Sequence, residues 1–154
     1  MSPKAALLNR IREHLNERLE RLTQAARDAH AAATDPGSKA ESKYDTRSLE
    51  ASYLASGQAK QVDDAADAVG LFATLTLPDF DIDEAIDAGA LVELDLEGET
   101  SFYLLVPAAG GVTIEDEGRE ITLLTPASGL YRKLLGCKVG DSIDDPDALI
   151  TEVA

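Results

Sequence analysis

The chain has 154 residues, of which 44% are hydrophobic and 5% aromatic, with no Trp and a formal net charge of −15. That length fits one ordinary domain or two small ones, and Leu, Ala, Val and Ile must supply the core packing. The acidity excludes unassisted binding to a nucleic-acid backbone, which needs clustered Lys and Arg, while solubility alone accounts for much of it.

The first segment, "MSPKAALLNRIREHL", returns to charge after a short apolar patch, so it is no signal peptide. No run approaches the roughly 20 apolar residues of a membrane span, and a cytoplasmic protein is the default. Leu8, Ile11, Leu15, Leu19, Leu22, Ala26, Ala29 and Ala33 step by threes and fours, one apolar stripe on a long helix. The stripe thins from Leu to Ala, which predicts close approach of a partner helix at that end. His14 and His30 both fall on this helix, too far apart to share a metal. Asp35-Pro36-Gly37 stops it, because the residue before Pro is pushed out of the α region and Gly permits the turn.

A second helix is expected from near Ala40 to about Ala73, with Leu49, Tyr53, Ala59, Val62, Ala66 and Val69 as apolar positions. Two long amphipathic helices joined by a short turn most simply form an antiparallel hairpin. Its tip carries Asp35, Glu41, Tyr44 and Asp45 within eleven residues. Acidic residues favour a helix N-terminus because of its dipole and free N–H groups. The functional alternative is oxygen ligation of a hard cation such as Mg²⁺, which keeps several waters and needs only one or two carboxylates from any one protein. The remaining ligands would then come from a partner.

The second half differs in charge: through residue 75, 10 Lys/Arg face 11 Asp/Glu, and from residue 76 on, 4 face 18. Pro78 marks a boundary, and "DIDEAIDAGA" reads as a short helix or turn. Apolar and polar residues alternate on both sides of Glu97-Gly98-Glu99 and again around Asp116-Glu117-Gly118-Arg119, two hairpin signals. "SGLYRKLLGCKVGDSI" is a short helix ended at Gly136, and "ALITEVA" a last strand. The lone Cys137 excludes a disulfide within the chain and, with no nearby His, reads as a structural thiol. The expected fold is α+β: a helical hairpin over 1–76, a connector over 77–90, and a small antiparallel-sheet domain over 91–154.

Phosphate-cradling loops, nucleophile elbows and zinc-protease helices are absent from the sequence. Two stretches resemble a known family. "GSKAESKYDTRSLEASY" is similar to the tip of the GreA/GreB transcript-cleavage factors of bacterial RNA polymerase, whose consensus reads roughly Gly-Asp-x-x-Glu-Asn-x-x-Tyr. "LLTPASGLYRKLLGCKVGD", residues 123–141, aligns without a gap to that family's Ser-Pro-Leu-Gly-x-Ala-Leu-Leu-Gly-Lys-x-Val-Gly-Asp signature. Ser128, Leu130, Leu134, Leu135, Gly136, Val139, Gly140 and Asp141 match; Gly129 and Tyr131 replace Pro and Gly.

The resemblance implies an antiparallel coiled coil followed by an FKBP-like domain, and a transcription elongation factor rather than an enzyme. The coiled coil would enter the polymerase secondary channel and bring Glu41, Asp45 and Asp35 to the active centre. Glu41 and Asp45 would there share a Mg²⁺ with the polymerase, none being held stably by the chain alone. Ser38 and Tyr44 at the tip, and Ser128, Leu130, Leu134 and Gly136 in the signature, become candidate polymerase contacts. The tip also departs from the family: Ser38 stands where the first acid is expected, Ser42 replaces Asn, and Tyr44 sits one residue early. A non-cleaving channel regulator is therefore the alternative. Partners implied are RNA polymerase alone, without independent nucleic-acid or membrane binding, with a monomer favoured. A prolyl isomerase, suggested only by the FKBP-like fold, would need an aromatic cup built from Phe80, Phe102, Tyr103 and Tyr131.

Overall fold

The computed structural model describes residues 3–34 and 46–154, with side chains described for 3–31 and 57–154. The described elements are α1 (Pro3–Thr34), α2 (Thr46–Thr74), β1 (Leu91–Leu96), β2 (Glu99–Leu105), β3 (Thr113–Asp116), β4 (Arg119–Leu124), α3 (Gly129–Leu134), β5 (Ser142–Ile143) and β6 (Ala148–Val153). This is an α+β chain of two compact units, one formed by residues 12–73 and the other by residues 1–11 with 74–154.

In the helical unit α1 and α2 run antiparallel. Arg12 Nε, early in α1, donates to the Phe72 carbonyl, late in α2, at 2.8 Å, whereas residues 23–31 face residues 59–63. Pro3 opens α1 with its φ already set for a helix and no N–H to leave unpaired. Burial follows the apolar stripe and thins with it: Leu15 is buried, Leu19, Leu22, Ala26 and Ala29 only half-buried. A cleft of about 590 Å³ opens there, lined by Ala26, His30, Ala59 and Val62 among others. The seam of α2 also shifts from the expected phase. Among its described side chains Ala65, Ala68 and Phe72 are buried, while Ala59 and Ala66 are exposed. In an Ala-rich run the pattern has several equivalent phases, and the large Phe72 side chain, fully buried, selects one.

The other unit is built on a six-stranded sheet of order β3-β4-β2-β1-β6-β5. Both expected hairpins form: β1 with β2 and β3 with β4. Their turns carry positive φ at two successive residues, Glu97 and Gly98, then Glu117 and Gly118. That is the geometry which matches strand twist in two-residue hairpins. The sheet is mixed rather than wholly antiparallel, because β2 and β4 pair in parallel. The tight turn makes β3 antiparallel to β4. With β3 on the outside, β4 enters beside β2 in the same direction.

Alternation gives the sheet two apolar faces. On one, Val92, Leu94, Leu105 and Ile150 pack with Ile86, Tyr131 and Leu134. On the other, Leu91, Leu104, Ile114, Ile121 and Leu123 are buried, and Arg10 reaches it from α1 to pair with Asp116 at 3.0 Å. Asp116 also meets Arg119 at 3.4 Å, whose guanidinium lies 5.1 Å from the Phe102 ring centroid. Leu7, Leu8 and Ile11 of α1 are buried in the same unit. Burying each such side chain contributes about 1.5–3 kcal/mol.

Candidate functional site

Asp35, Ser38, Glu41, Tyr44 and Asp45, the tip residues singled out in the sequence, lie outside the described residues. Among the described residues, no group of three or more His, Cys, Asp and Glu could hold a metal ion.

The signature over 123–141 is described throughout, and most of its matching positions serve the fold. Ser128 precedes α3 in an extended conformation and makes no side-chain cap; its N–H donates to the Thr125 carbonyl at 2.9 Å. Leu130 is partly buried against the core and Leu134 completely buried. Leu134 thus seats α3 on the sheet and offers no surface of its own. Gly136 has φ +81 and ends the helix, as glycine does after a helix C-terminus. Its N–H donates to the Ile86 carbonyl at 2.9 Å, and the Ile86 N–H returns a bond to the Cys137 carbonyl at 2.8 Å. Gly140 has φ +93, and the Asp141 carboxylate closes that turn by accepting from the Lys138 N–H at 2.8 Å. The exposed remainder is Pro126, Ala127, Gly129, Arg132, Lys133, Leu135 and Lys138. It supplies three of the six Lys/Arg of a unit with eighteen Asp/Glu.

Cys137 is half-buried, and its Sγ lies 3.3 Å from the Lys133 carbonyl. Burial, then the Asp141 charge, pushes its pKa up, so the thiol is not activated. Burial, then the Asp87 charge, likewise raises that of Tyr131. Phe80, Tyr103 and Tyr131 pack on one face of the sheet, while Phe102 alternates to the other and stacks with Arg119. The four aromatics therefore do not converge on one cup.

Two features left no trace in the sequence reading. One is Lys4, only 4% exposed. Its Nζ donates to the carbonyls of Pro78 and Gly89, each at 2.5 Å, and of Ala154 at 3.0 Å. It also stands 5.0 Å from the Phe80 ring centroid. Burial lowers its pKa to about 8 against the opposing pull of Asp79. The other is Ile82, 64% exposed inside the acidic run 79–87. Backbone carbonyls as partners leave no side-chain motif to find, and a lone exposed Ile looks in sequence like a core residue.

No protein-family model and no curated protein matches the chain. Among solved structures, the crystal structure of GreA factor homolog 1 (Gfh1) of Thermus thermophilus matches with 23% identity and a TM-score of 0.38, over 93% of this chain and 94% of that one. Thermus aquaticus Gfh1 matches with 21% identity and a TM-score of 0.37, over 92% of each chain. A further structure of the transcription factor Gfh1 matches with 22% identity and a TM-score of 0.37, again over 92% of each.

Proposed function

We propose that this chain is a bacterial RNA-polymerase-binding transcription elongation factor that acts in the cytoplasm through the polymerase active site and is not itself an enzyme. The observation that carries the reading is the gapless signature over 123–141. It follows a long antiparallel helical pair whose joint carries Asp35, Glu41 and Asp45. In this reading the helical unit enters the secondary channel and the sheet unit docks outside it.

The donor set at the joint consists of carboxylate oxygens, which suit a hard cation and are too few to fill its coordination shell. Glu41 and Asp45, with Asp35, would hold a Mg²⁺ together with polymerase groups. Such an ion, when bound, supplies charge stabilisation to attacking and leaving oxygens during transcript cleavage. The chain's own contribution is to deliver these carboxylates.

The test is cleavage of backtracked transcripts by RNA polymerase in Mg²⁺, with and without the protein and its Glu41→Ala variant. Faster cleavage that disappears in the variant, at unchanged thermal stability, is the expected result. Ser38, at the position where the family has its first acid, favours a second reading: a channel-occupying regulator that binds without stimulating cleavage. That reading predicts polymerase binding with no acceleration by either form.

A further inference from the structure

Residues 79–88 leave the surface at Pro78 and return at Gly89, and both stems are held by one side chain. The buried Lys4 ammonium donates to the Pro78 and Gly89 carbonyls together. The stems also touch: a Cβ on Gly89, whose φ is +88, would lie 2.6 Å from Pro78 Cδ. A compact loop with its ends closed in this way is an Ω-loop, a form that is frequently functional. Its interior is fixed as well. Phe80 packs on the core, and Ile86 is 2% exposed and exchanges backbone bonds with Gly136 and Cys137. The Asp81 N–H donates to Glu84 Oε1 at 3.0 Å, and the Glu84 N–H to the Asp81 carbonyl at 3.0 Å.

What this held loop presents is Ile82. Two of its apolar residues point inward, while Ile82 is 64% exposed, more than Leu71, Leu135 or Leu149. Flanking it in sequence are Asp79, Asp81, Asp83, Glu84 and Asp87, every one of them exposed. An apolar side chain on a loop already ordered binds without a further entropic cost of ordering. The charge decides what it binds. Nucleic acid and anionic membrane surfaces are repelled, and so is a second copy of a chain with net charge −15. A basic protein surface with an apolar hollow is complementary on both counts.

We propose that the 79–88 loop is a preformed docking element whose Ile82 seats in an apolar hollow on a basic protein surface, with its carboxylates steering the approach. Resting on the function proposed above, that surface belongs to RNA polymerase, outside the channel. The experiment is equilibrium binding of the full chain to core RNA polymerase at low and at near-physiological salt. It compares the parent, Ile82→Ser, the double variant Asp81→Asn/Asp83→Asn, and Leu149→Ser as an exposed-apolar control. Ile82→Ser is expected to weaken binding at least about fivefold with an unchanged melting temperature. The double variant should bind more weakly at low salt and show a shallower salt dependence, and Leu149→Ser should bind like the parent. Parent-like binding by Ile82→Ser, or an equal loss in Leu149→Ser, overturns the docking element while leaving the function intact. A parent protein that fails to bind polymerase overturns both.

Discussion

Lys4 ties together parts of the chain that are far apart in sequence, and it does so as a cation in a nearly dry site. The three carbonyls and the Phe80 ring favour the ammonium. Burial outweighs them and lowers its pKa from 10.5 to about 8. Between those two values the unfolded chain holds the proton and the folded chain releases it. Stability must therefore rise with pH across that window. The urea midpoint is expected to be higher at about pH 9.5 than at about pH 7.5 relative to Lys4→Met, in which this slope is absent. Equal slopes in the two proteins would refute it. Nothing in "PKAALL" announces such a residue, because its partners are main-chain atoms that every sequence supplies.

At the level of elements, the end of α3 rests on Gly136. Open space surrounds the position where its Cβ would stand, so the only obstacle to a side chain is the backbone at φ +81. Gly136→Ala is expected to cost about 1–2 kcal/mol. Gly129→Ala, inside the same helix without positive φ, should be neutral or stabilise by up to about 1 kcal/mol. Chemical denaturation of the two variants measures the contrast. Elements of this kind were legible because local chemistry fixes them: the Leu8, Ile11, Leu15 stripe, the Glu97-Gly98 and Glu117-Gly118 turns, and the helix stop at Gly136. The parallel pairing of β2 with β4 was not, since it depends on which strand the β3–β4 hairpin meets. Nor was the buried phase of α2, where the neighbouring Ala65, Ala66 and Ala68 blur the period that Phe72 sets. Of the candidate site, the signature could be located in sequence, but the task of each position within it could not. Leu134 and Gly136 prove to hold α3 and the 79–88 loop in place.

Over the whole molecule the charge is divided unequally. The unit formed by residues 1–11 and 74–154 carries six Lys/Arg and eighteen Asp/Glu, and the unit of residues 12–73 eight and eleven. The first unit therefore repels itself strongly when folded. Screening falls within a Debye length of roughly 10 Å at 0.1 M salt. Its melting temperature should rise as NaCl is increased from a few millimolar to that level, a shift calorimetry would detect; an unchanged or falling value would mean that the acids are already compensated in place. The asymmetry of charge was visible in sequence. The change of neighbours between Ile11 and Arg12 was not, because the apolar stripe of α1 runs on from Ile11 to Leu15 across that point without interruption.

The Lys4 contacts also set a timetable. Its farthest carbonyl lies 150 residues along the chain, and the sheet residues that share a unit with Leu7, Leu8 and Ile11 begin at residue 91. A ribosome adding about 5–20 residues per second reaches Ala154 on the order of ten to thirty seconds after Lys4. Until those partners emerge, the opening turns of α1 carry three apolar side chains without their core and an ammonium held only by water. Until the sheet exists these side chains have no core to enter, which makes the newborn protein, more than the finished one, a client for chaperones.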